Sequence, residues 1–62
     1  MSKKIVFIID AYSPEIQDIE VSINGKPYVG NNLDSADFYR LERMKGGKAL
    51  NYLKKRVELK PK

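Results

Sequence analysis

Lys48, Asn51, Tyr52 and Lys55 recur at spacings of three and four residues, which puts them on one face of any helix that carries them. Lys54 and Arg56 flank that face, and Arg40 and Arg43 extend the basic set towards the middle of the chain. Cations beside an aromatic ring can hold a phosphate backbone while the ring stacks on a base. Gly46-Gly47-Lys48 comes immediately before. Free N–H groups at a helix start, beside glycines and a lysine, form a candidate anion site. Each feature also has a structural explanation: a glycine pair terminates helices, and a tyrosine in this position can lie over the edge of the core. A full phosphate loop would need another glycine upstream and a Ser or Thr after the lysine.

Other chemistries are excluded by composition. The chain has 62 residues, no cysteine and no histidine. That removes disulfides, thiolate nucleophiles, histidine triads and nearly all zinc and transition-metal sites. Asp10, at the end of an apolar run, resembles the first metal-binding aspartate of some nuclease and phosphatase folds, but such sites need more carboxylates from other strands. Asp34 and Asp37 are accounted for by helix capping, and Glu15 and Asp18 by a solvated loop. The expectation is a non-enzymatic domain with no cofactor and no metal.

The net charge of +4 conceals an uneven layout. Between Ile5 and Asp37 one base, Lys26, stands against six acids, giving −5. Between Phe38 and Lys62 nine bases stand against two acids, giving +7, and Lys3 with Lys4 supply the remainder. A basic half of this kind is the electrostatic footprint of a polyanion-binding surface, and equally that of a solvated helix face. Ile5 to Ile9 is too short an apolar run for a signal core or a membrane span, so the expectation is a cytoplasmic protein with no membrane partner.

These residues must be positioned by a single domain spanning 1–62, since a chain this short supports one thin core. Ile5-Val6-Phe7-Ile8-Ile9 is β-branched and aromatic and predicts a buried or central strand ending near Asp10. Tyr12-Ser13-Pro14-Glu15 predicts a turn. Ile19-Glu20-Val21-Ser22-Ile23 alternates strictly, with Ile19, Val21 and Ile23 on one face. Asn24-Gly25 then supplies a type I′ hairpin turn, which pairs Val21 with Tyr28, Ser22 with Pro27 and Ile23 with Lys26. Pro27, lacking an N–H, predicts a return strand that is an edge or pairs briefly, and Gly30-Asn31-Asn32 ends it.

Asp34 predicts a helix N-cap, with Leu33 and Phe38 as a hydrophobic staple and Asp37 complementing the dipole. Phe38, Leu41 and Met44 continue its apolar stripe until Gly46-Gly47 stops it. A second helix from Lys48 to about Val57 turns Leu50, Leu53 and Val57 to one side, and Val57 to Lys60 forms its end or a short extended tail. The fold class is therefore α+β: a small antiparallel three-stranded sheet with two short helices packed on one face. Tyr28 and Tyr39 are expected at the core or its edge, leaving Tyr12 and Tyr52 as the tyrosines for partner contact.

The stretch from Tyr12 to about Arg56 resembles the KTSC domain family, a module found in small bacterial and phage proteins and at the C-terminus of some lysyl-tRNA synthetases. Tyr12-Ser13-Pro14-Glu15, Ile19-Glu20-Val21, Asn24-Gly25 and Tyr28 are similar to its front half. Tyr39, Gly47-Lys48-Ala49-Leu50-Asn51 and Leu53 are similar to its back half. The resemblance implies a role in RNA binding and no catalytic residue. Two functional readings follow. One is a nucleic-acid-binding module for RNA or single strands, using the basic residues above. The other is a protein-interaction module, such as a small phage or bacterial modulator of a host protein, or a homodimer that protects a sheet edge.

Overall fold

A computed structural model describes residues 4–62; Lys3 lies outside them. The elements run β1 (Phe7–Ser13), β2 (Asp18–Ile23), β3 (Lys26–Gly30), α1 (Ser35–Glu42), α2 (Gly47–Arg56) and β4 (Lys60–Pro61). The strands form one antiparallel sheet in the order β1-β2-β3-β4. The α+β class stands, with four strands rather than three.

The hairpin has the register that the Asn24-Gly25 turn demands, with Val21 opposite Tyr28, Ser22 opposite Pro27 and Ile23 opposite Lys26. Asn24 and Gly25 have φ of +52° and +83°, the two left-handed residues of a type I′ turn. Ile19 and Val21, on the inner face of β2, are fully buried against Leu33, Leu41, Ala49 and Leu53. This cluster is the core. It joins one face of the sheet to α1 and α2.

β1 is an edge strand rather than a buried or central one, and it runs on through Tyr12 and Ser13. Its apolar run is not covered on both sides, because the core lies on one face: Val6 and Ile8 are 47% and 53% exposed, while Phe7 and Ile9 pack on the core. The pairing with β2 slips by one residue between Ile9 and Ala11. Asp10 is thus the extra residue of a β-bulge, not a strand end, and its carboxylate accepts a 2.7 Å hydrogen bond from the Ser22 hydroxyl. The bulge also puts Tyr12, three residues after Ile9, back on the core side. The turn that follows is Pro14 to Gln17, later than Tyr12-Ser13-Pro14-Glu15 suggests.

Of the two outcomes that Pro27 predicts for β3, an edge or a brief pairing, the structure has the brief pairing. β4 pairs with β3, Tyr28 opposite Pro61 and Val29 opposite Lys60, and Lys62 N–H donates to the Pro27 carbonyl at 3.1 Å. Because β4 is two residues long, the missing Pro27 N–H falls at the end of the ladder. The Lys62 ammonium also pairs with Glu20. Val57 approaches so closely that a Cβ on Gly30 would stand 2.8 Å from its Cγ2. Only glycine leaves room there for the chain to pass from α2 into β4.

Asp34 is the N-cap of α1 in residue terms, but its side chain makes no capping hydrogen bond. It accepts instead from Gln17 Nε2 at 3.2 Å. Leu41 is buried, with Phe38 and Met44 half-buried beside the core. The helix ends at Glu42, with Arg43 as C-cap, before the glycine pair is reached. Gly46, at φ +57°, is the N-cap of α2 rather than the stop of α1.

Candidate nucleic-acid interface

α2 forms because Ala49, Leu50 and Leu53 bury one stripe of an otherwise polar helix. The opposite stripe carries Lys48, Asn51 and Lys55, all exposed, with Lys54 exposed on its flank. Lys54, Lys55 and Arg56 fall in the last turn, where cations offset the negative end of the helix dipole. Among the described residues, Lys48, Lys54, Lys55, Arg40 and Arg43 have no carboxylate within ion-pair distance. Arg40 and Arg43 are exposed on and just after α1, so the cations are divided between two helices.

Tyr52 and Arg56 turn from this stripe towards α1. The Tyr52 hydroxyl donates to Asp37 Oδ1 at 2.6 Å. Arg56 Nε lies 3.6 Å from the same oxygen, and its guanidinium carbon stands 5.0 Å from the Tyr52 ring centroid, within cation–π range. Tyr52 is half-buried against the core. The contact braces α2 on α1, with one side of the ring covered.

Tyr12 and Tyr39 exchange the places expected of them. Tyr12 is half-buried, its ring stacked on Phe38 at 4.3 Å and 13°, and its hydroxyl donates to the Leu33 carbonyl at 2.7 Å. Tyr39, expected at the core edge, is 67% exposed. It follows Phe38 on the helix, and Phe38 takes the inward position. Tyr28 packs on the core as expected.

Gly46 and Gly47 open α2, and the Leu50 N–H closes the first turn on the Gly46 carbonyl at 3.2 Å. Both glycines lie against Ile5: a Cβ on Gly46 would be 3.2 Å from its carbonyl oxygen, and one on Gly47 3.5 Å from its Cδ1. The pair therefore seats the helix start beside the chain entering β1, with Lys48 projecting outward.

No described polar or charged side chain is buried. Lys62 is raised above its ordinary value by its hydrogen bond with, and charge attraction to, Glu20. Among the described residues, no three acidic side chains converge as metal ligands would, and no helix is long and apolar enough to cross a membrane. Comparison with known proteins found no family, curated protein or solved structure that matches this chain.

Proposed function

We propose that this chain is a small non-enzymatic nucleic-acid-binding module that holds the phosphate backbone of RNA or another single strand along the exposed stripe of α2. The observation that carries the reading is the row Lys48, Asn51 and Lys55, flanked by Lys54, whose lysines have no carboxylate partner among the described residues. An ammonium that is already neutralised releases few counterions when phosphate replaces its partner; an unpaired one contributes fully to salt-dependent affinity. Arg40 and Arg43 offer further phosphate contacts from α1. Arg56 contributes less, because it already faces Asp37.

Tyr52 serves in this reading as a brace rather than a stacking platform, so recognition is by charge and indifferent to base identity. The proposed KTSC relationship points to the same ligand class. A filter-binding titration with labelled single-stranded RNA tests the proposal. Binding is expected at low salt, weakening as salt rises and similar for different base compositions; no binding at low salt overturns it.

A further inference from the structure

A second surface lies away from the basic stripe. Between β1 and α1 runs an open groove of about 960 Å³, lined by Phe7, Ile9, Phe38, Tyr39 and Met44 among its apolar residues. One wall is the outer edge of β1, which no other strand covers among the described residues. Val6 exchanges its bonds with Asn24: the Asn24 N–H donates to the Val6 carbonyl at 2.9 Å, and the Val6 N–H donates to Asn24 Oδ1 at 2.9 Å. In an antiparallel ladder the residues between such pairs turn their N–H and C=O the other way. Phe7 and Ile9 therefore present their backbone groups to the groove. At the Ile5 end Gly46 closes against the chain, and beyond Ile9 the bulge ends the regular edge.

Among the described residues the charged ones lining this groove are Asp10 and Glu42, one on each wall; the Asp10 carboxylate turns to the outer face of the sheet, where it accepts from Ser22 and also feels the charge of Lys62. Both are exposed. We propose that the groove takes an extended segment of another protein, added to the sheet beside β1, in which apolar residues alternate with lysine or arginine. Backbone bonds to Phe7 and Ile9 give such a strand its register. Its side chains then alternate between two environments. One set lies over Phe7, Ile9, Tyr39 and Met44, with Glu42 at the rim. The other lies beside the exposed Ile8 and Asp10, where a cation meets the carboxylate. A second copy of this chain adding its own β1 fits less well, since β1 has no base between Ile5 and Ser13 to set against either acid.

The proposal is independent of nucleic-acid binding, which uses the opposite charge, chiefly on α2 with Arg40 and Arg43 added from α1. It is tested with a short fluorescein-labelled peptide of alternating valine and lysine, beside one of equal composition with its valines contiguous and one with glutamate for lysine. The alternating peptide is expected to raise the anisotropy and to shift the backbone amide resonances of Phe7 and Ile9. Asp10→Lys is expected to weaken it about tenfold and to favour the glutamate peptide instead, with an unchanged circular dichroism spectrum. The proposal is overturned if the alternating peptide does not bind, if the contiguous peptide binds equally, or if the shifts fall on α2. Sedimentation showing that the free protein is a dimer with its Phe7 and Ile9 amides already protected also overturns it.

Discussion

The Tyr52 hydroxyl on α2 donates to a carboxylate oxygen of Asp37 on α1, and Arg56 shares that oxygen while lying over the tyrosine ring. The aromatic residue that looks like a base-stacking platform is thereby held within the protein. What remains free on α2 is charge.

Tyr52→Phe keeps the ring and removes this hydrogen bond. The expected cost is about 1–2 kcal/mol, because the acceptor is ionised and partly shielded, read as a lower urea midpoint with an unchanged slope. RNA affinity is expected to stay within about twofold, since the reading assigns Tyr52 no contact with bases.

Gly30→Ala places a methyl group 2.8 Å from Val57 Cγ2, with Leu59 and Ile19 close on other sides. Overpacking of this kind costs about 1–3 kcal/mol. Thermal unfolding is expected to show the loss, and Gly30→Ala combined with Val57→Ala is expected to lose less than the sum of the two separate losses, because the two sites share one space.

The hairpin, the start of α1 and the buried stripe of α2 were legible in the residues. Asn24-Gly25 dictates a register, Asp34 with Leu33 marks a helix entry, and Leu50 and Leu53 stand at helical spacing, whereas Val57, expected on the same stripe, is extended just past the helix end. The edge position of β1 was not legible, since an apolar run looks the same whether one face or two are covered. Nor was the bulge: no residue type marks Asp10 as the extra one, and without it Tyr12 falls on the wrong face. β4 has two residues and no pattern of its own; it exists because Gly30 lets Val57 in and Lys62 reaches Glu20. For the candidate site, the stripe of Lys48, Asn51 and Lys55 follows from spacing alone. The diversion of Tyr52 and Arg56 depends on where α1 places Asp37, which spacing within α2 does not encode.

Lys62 titrates above its ordinary value of 10.5 because it donates a hydrogen bond to Glu20 and faces its charge. Its folded-state value is the raised one, so its contribution to stability is complete below 10.5 and is lost as pH climbs through the raised value. Denaturation midpoints of the parent chain and of Lys62→Ala are therefore expected to differ by a constant amount through neutral pH and to converge only in strong alkali.

Whether the free lysines of α2 hold phosphate is decided by the affinity of single-stranded RNA for the parent chain and for Lys48→Glu combined with Lys55→Glu, each measured across a series of salt concentrations. The parent is expected to show a logarithmic slope of about −0.7 per phosphate neutralised. The variant is expected to lose at least tenfold in affinity and to show a shallower slope, with circular dichroism matching the parent because both positions are exposed. Equal affinities and equal slopes for the two proteins would contradict phosphate binding by these lysines.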